Sequence, residues 1–154
     1  RIEYRHYFGN VLMNEITIAG NTYRYGKLNA IEQFHLERRI LPLVFSAFPA
    51  FSSVMEEKGE DAVISWEEVI EKSKPLADTL SGMSDEDAEY VTRTCLGVVH
   101  RKQGMEWSPV MSDGNLMFDD LDAFEMVLLS FFVIRRNLAN FMQKLVIFLA
   151  DPVK

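Results

Sequence analysis

The chain has 154 residues, 48% of them apolar and 25% charged, a composition that suits one folded domain and excludes a disordered one. A net charge of -7, with basic side chains gathered only in short pairs, argues against nucleic acid, because nothing offsets phosphate repulsion. A single cysteine, Cys95, excludes an internal disulfide, and the longest uncharged apolar run, Met126 to Ile134, is about half a membrane span. The chain therefore reads as soluble and cytoplasmic, with no membrane partner.

Arg1 to Leu12 fits no pattern. It reads either as a strand packed on the domain or as an upstream or vector-derived extension, and a single domain is assigned to residues 13–154. Glu15 to Tyr25 reads as a β-hairpin: Ile16 and Ile18 alternate with polar neighbours, and Ala19-Gly20-Asn21 supplies the turn. Asn29, with Glu32 three residues on, signals a helix start. Ile31, Phe34, Leu41, Phe45 and Phe48 then recur at helical spacing. From Ile40 the helix is apolar on nearly every side, so it is either central or docked on something else. Pro42 is expected to kink it, and Met55 to Asp61 reads as a charged loop.

Ser65 and Glu68 form a capping box for a second helix, with Trp66, Val69 and Ile70 inward. Pro75 either kinks that helix or starts a short new one from Leu76 to Leu80. Ser84 and Asp87 cap a third helix with a buried stripe of Ala88, Val91, Cys95 and Val98. Trp107 to Met111 and Leu116 to Phe118, joined at Asp113-Gly114, read as a second hairpin. Asp119 or Asp120 then caps a last helix from Leu121 to Ala150. At 1.5 Å per residue it is roughly 45 Å long, against a radius of gyration of about 15 Å for a domain of this size. One stripe runs through Leu121, Phe124, Leu128, Phe131, Leu138, Met142, Leu145 and Leu149. A second runs beside it through Val127, Ile134, Phe141 and Phe148. So much apolar surface exceeds what a small domain hides and points to an interaction site. The expected fold is mainly α: a compact domain of about four to five helices, one or two short β-hairpins, and a long C-terminal apolar helix.

Signals for chemistry are weak. Glu32, His35 and Arg38 share a helix, and an acid–base pair of Glu32 with His35 is the one enzymatic reading; a solvated helical face is much the commoner meaning of that spacing. His6, His35 and His100 lack metal-ligand spacing, and Asp119-Asp120-Leu121-Asp122 lacks the glycine of a calcium loop. Cys95 sits on an inward stripe and reads as an inert buried thiol. No cofactor motif is present. Eight methionines suit a surface that accepts imperfectly matched apolar partners, although they also serve as gap fillers in a core.

The stretch TYRYGKLNAIEQFHLERRILPLV, which starts at Thr22, resembles the opening of the phage tail assembly chaperones. Tyr23, Gly26, Lys27, Leu28, Gln33, Phe34, His35, Arg38, Arg39 and Pro42 carry the resemblance. Cys95-Leu96, Val99, Arg101, Trp107, Val110, Met117, Asp120, Asn137, Leu138 and Phe141 extend it weakly, so that it spans Met13 to about Phe148. The resemblance implies a non-enzymatic factor of the host cytoplasm that binds the tape measure protein, a long apolar helical rod, while the tail tube grows around it. Such a factor is not retained in the virion. The expected partners are the tape measure protein, the tail tube protein and further copies of the chain. Phe131, Phe132, Phe141, Leu145 and Phe148 are the candidate contacts for a client or for self-association. Two alternatives stand beside this reading: a homo-oligomeric structural or adaptor protein of the phage particle, and a small enzyme using Glu32, His35 and Arg38.

Overall fold

The computed structural model describes residues 3–6, 14–58 and 66–151. Strand β1 (Glu3–His6) pairs antiparallel with β2 (Asn14–Ile18), and β2 with β3 (Asn21–Tyr25). The β2–β3 turn holds Ala19 at φ 50° and Gly20 at φ 80°. Two consecutive positive φ values match the right-handed twist of a tight hairpin, and glycine adopts one at no steric cost. Three helices follow: α1 (Ala30–Lys58), α2 (Trp66–Gly82) and α3 (Asp85–Leu96). The chain then returns to the sheet as β4 (Val99–Gln103), which pairs with β3 on one side and with β5 (Glu106–Pro109) on the other. A small ribbon of β6 (Met111–Ser112) and β7 (Asn115–Leu116) turns at Asp113-Gly114, and α4 (Ala123–Ala150) closes the order.

The result is a mixed α/β fold. Among the described residues it has four helices, a five-stranded antiparallel sheet in the order β1-β2-β3-β4-β5, and a two-stranded ribbon. The expectation of a mainly α domain with one or two hairpins is thereby corrected. The element that overturns it is β4. Its Val99 and Arg101 alternate inward with His100 and Lys102, so one of the two core positions carries a charge and the strand pattern is masked. The periodicity of Val91, Cys95 and Val98 also carries a helical signal past Gly97, where α3 has already ended.

Several local expectations hold. Asn29 Oδ1 accepts from Glu32 N at 2.9 Å, and Ser84 Oγ from Asp87 N at 3.1 Å, satisfying amides that the first turns of α1 and α3 leave free. The last helix is capped by Asp122 rather than Asp119 or Asp120. Asp122 Oδ1 accepts from Glu125 N at 2.8 Å while Asp122 N donates to Glu125 Oε2 at 3.1 Å, a reciprocal capping box. Other expectations are corrected. Helix α1 extends to Lys58, into the segment read as a loop, and α2 continues to Gly82, so no separate helix starts at Leu76. Ile70 is exposed rather than inward, and so is Ala88. Ser65 and the side chains of Trp66, Glu68 and Val69 lie outside the described residues, as does the side chain of Phe48.

One face of the sheet makes half of the core. Ile16, Tyr23 and Arg101 align across β2, β3 and β4, with Ile18, Tyr25 and Val99 in neighbouring rows of the same face. Leu36 and Ile40 of α1, Cys95 and Leu96 of α3, and Leu129, Phe132 and Val133 of α4 cover that face. The Tyr25 and Phe132 rings meet at 5.9 Å between centroids. The opposite face is polar, with Thr17 and Thr22 hydroxyls 3.2 Å apart and the Arg24 guanidinium stacked 4.7 Å from the Trp107 ring centre.

Candidate functional site

The inward residues of α1 and α4 define what is left outside. On α1, Leu36, Glu37 and Ile40 face the core, so the row of larger residues faces solvent: Phe34 is 63% and Phe45 64% exposed, with Ile31 beside them. Arg38 lies within this row and is exposed; its Nε donates to His35 Nδ1 at 3.1 Å. On α4, Glu125, Leu129, Phe132, Val133 and Asn137 face inward. The outward side carries Phe124, Val127, Phe131 and Phe141, and at the far end Val146 to Leu149 are all exposed. No residue of α4 beyond Asn137 is fully buried; Leu138, Met142 and Leu145 are half-buried and the others exposed. From Phe131 to Ala150 the charges are Arg135, Arg136 and Lys144, with no acid, in a chain of net charge -7.

A buried polar staple ties α4 to the body. The Asn137 side chain is 1% exposed. Its Oδ1 accepts from Leu28 N at 3.1 Å and from Gln33 Nε2 at 2.9 Å, and its Nδ2 donates to Val133 O at 2.8 Å. The link runs from the β3–α1 connection across to α4, and holds the outward faces of the two helices in a fixed relation. A second staple ties α1 to α3. Arg39 Nε donates to Asp87 Oδ1 at 2.7 Å, its Nη1 to His35 O at 3.0 Å, and its guanidinium lies 4.0 Å from the Tyr90 ring centre. A third centres on Arg101, whose Nη1 and Nη2 both reach the Asp120 carboxylate at 2.8 Å while Nη2 also donates to Asn21 Oδ1 at 2.7 Å. The guanidinium sits 4.5 Å from the Phe118 ring centre, so an inward arginine is held by a fork and a ring, while its buried Nε has no hydrogen-bond partner. The Arg101 hydrogen bonds hold the Asp120 carboxyl below its usual range.

A family model described as phage tail assembly chaperone protein, TAC, matches residues 19–149. The chain belongs to the phage tail assembly chaperone family. Neither a curated protein nor a solved structure matches it.

In this family member the motif residues divide by role. Tyr23 is core, Gly26 is buried with its N–H donating to Val98 O at 3.0 Å, and Gln33 and Arg39 are the staple residues just described. Lys27, Phe34 and Arg38 are exposed, and His35 is half-buried against the Phe34 and Tyr90 rings. Of Glu32, His35 and Arg38, the structure joins Arg38 to His35 by the hydrogen bond given above. Of the five candidate contacts, Phe131, Phe141 and Phe148 are outward at 51%, 38% and 59% exposed, and Leu145 is half-buried. Phe132 is corrected to a core residue: at 9% exposed, it packs on Tyr25 and is not available to a partner. Sequence reasoning missed the outward orientation of Ile31, Phe34 and Phe45. The signal was Arg38, a charge in the middle of that row. Asn137 was missed as a staple, since one amide on a helix face carries no sequence signature.

Cys95 is fully buried, and burial pushes its thiol up to about 12. Among the described residues no group of acids, histidines and cysteine is placed to hold a metal ion, and no helix is long and apolar enough to cross a membrane.

Proposed function

We propose that this chain is a non-enzymatic chaperone that shields the tape measure protein in the host cytoplasm while the tail assembles, and that it leaves before the virion is complete. The observation that carries this reading is the pair of outward apolar helical faces on α1 and α4, held by buried staples and needed by neither helix for its own core. A long apolar helical client aggregates unless its stripe is covered. Helical faces cover it by area, with little demand for polar register. Exposed apolar surface of this extent is unusual on a lone small subunit. The net charge of -7 supports the same reading, since a charged shell keeps a chaperone–client complex dispersed. The tail tube protein, which polymerises around the same rod, is the second expected partner.

The test is co-purification of the tagged chain with the tape measure protein of the same phage. The unaltered chain is expected to retain the client. The double variant Phe34→Ser/Phe45→Ser is expected to lose about tenfold or more of that capture at unchanged helicity. Capture that survives the double variant removes the α1 face from the site. A chain found in purified particles favours instead a structural or adaptor protein of the virion.

A further inference from the structure

We infer that the outward row of α1 takes an apolar helix whose stripe carries an acidic side chain, and that Arg38 pairs with that acid. Ile31, Phe34 and Phe45 line the row, and Arg38 stands inside it, four residues past Phe34 and seven before Phe45. All four are exposed. Covering a guanidinium with hydrocarbon alone strips its hydration and puts nothing in place of it. A partner that covers the phenyl groups must therefore bring Arg38 an acceptor, and a carboxylate matches the guanidinium fork. Arg38 is set up for such a pair. The His35 ring lies against the Phe34 and Tyr90 rings, at 5.4 Å and 6.2 Å between centroids, and its Nδ1 accepts from Arg38 Nε at 3.1 Å. One edge of the guanidinium is thus tethered to a braced ring, and its Nη groups have no partner among the described residues. Tethering beforehand lowers the conformational freedom that binding removes.

Charge complementarity chooses the occupant. Arg39, Arg93 and Arg101 hold the carboxylates of Asp87, Glu89 and Asp120. Arg38 and Arg135, on the exposed sides of α1 and α4, hold none among the described residues. Arg135 stands four residues past the exposed Phe131, as Arg38 stands past Phe34. From Gln33 to Met55 the one acid is Glu37, buried on the inward side of α1, and from Met126 to Ala150 there is none. Both apolar faces are thus cationic in a chain of net charge -7. A second copy does not suit them: α1 on α1 sets Arg38 against Arg38, and α1 on α4 sets one arginine row against another. An anionic bilayer does not suit them either. An interfacial helix keeps its cations beside its apolar stripe, whereas Arg38 lies within it, and the acidic remainder of the chain repels anionic headgroups. An acid on the partner is attracted here and repelled elsewhere, so charge supplies the register that apolar area alone does not. Taking the partner to be a helix rests on the chaperone role proposed above; its acid rests on Arg38.

Two fluorescent synthetic helices carry the same leucine stripe, broken at its centre by glutamate in one and by lysine in the other. Each is titrated into the full chain and followed by fluorescence anisotropy. The glutamate helix is expected to bind about tenfold or more tighter, a preference that fades in high salt. Arg38→Gln should abolish the preference and Arg38→Glu reverse it, each with unchanged circular dichroism, while Arg135→Gln keeps it. Equal binding of the two helices by the unaltered chain overturns the inference. So does a glutamate preference that survives in a folded Arg38→Gln chain or is lost in Arg135→Gln, and so does binding to phosphatidylglycerol vesicles with neither helix bound. A glutamate preference at Arg38 in a chain that fails to capture the tape measure protein refutes the chaperone role and leaves the pairing standing. Capture of the tape measure protein with no glutamate preference does the reverse.

Discussion

Replacing Asn137 with alanine removes the only described link between the Leu28 amide and α4. In the folded chain that amide is buried and donates to Asn137 Oδ1 at 3.1 Å. Alanine offers no acceptor, so the Leu28 N–H is left buried and unpaired, at a cost of about 1–3 kcal/mol. The Gln33 amide, which donates to the same oxygen at 2.9 Å, is only partly buried and turns to water, losing about 1 kcal/mol. A small void adds up to about 1 kcal/mol. The expected loss is about 3 kcal/mol. With a urea slope of about 2 kcal/mol per molar, the unfolding midpoint falls by about 1.5 M. Urea titration followed by far-ultraviolet circular dichroism measures it directly. Gln33→Ala is the matched control, with an expected loss of about 1 kcal/mol. If Asn137→Ala costs no more than Gln33→Ala, the buried amide is not what anchors α4 to the β3–α1 connection.

Three further outcomes are expected. Glu37 is inward with its Oε1 lacking a hydrogen-bond partner, and burial raises its carboxyl above the ordinary 4.5. The folded state then holds the proton more tightly than the unfolded state, so stability falls as pH rises from 4.5 through the raised value. Glu37→Gln should raise the urea midpoint at pH 7 and leave it nearly unchanged at pH 4. Asp120 shows the opposite sign: its carboxyl is held below 3.8, so its contribution is present above 3.8 and is lost as pH falls through the lowered value. Asp120→Asn should flatten only that acid limb, modestly, because the carboxylate is largely exposed and salt screens it. Cys95, with its thiol pushed up to about 12, should resist a disulfide reagent at pH 8 in the folded chain and react once the chain is unfolded in urea; fast labelling of folded protein would place it at the surface.

The parts of the fold that were legible in sequence are those fixed locally. Ile16 and Ile18 alternating up to Ala19-Gly20, the Asn29–Glu32 and Ser84–Asp87 caps, and the Asp113-Gly114 turn each depend on residues a few positions apart. What escaped depends on distant partners. β4 reads poorly because Arg101 is a core residue only by virtue of Asp120, Asn21 and Phe118. The inward face of α1 was hidden because a helix apolar all round gives no preferred side: Leu36 and Ile40 were chosen over the larger Phe34 and Phe45 by the sheet they meet. On α4 the inward face includes Glu125, Ser130 and Asn137, three polar residues that reverse the usual cue: Glu125 Oε2 accepts from Asp122 N, Ser130 Oγ donates to Met126 O, and Asn137 Nδ2 donates to Val133 O. Among the candidate contacts on α4, Phe132 proves buried, and the exposed Phe34 and Phe45 of α1 were passed over.

Sedimentation of the tape measure protein expressed with and without this chain tests client shielding most directly. With the chain present, most of the tape measure protein should remain in the supernatant and elute together with it. A client that pellets equally in both cases, or stays soluble alone, would contradict the proposed role.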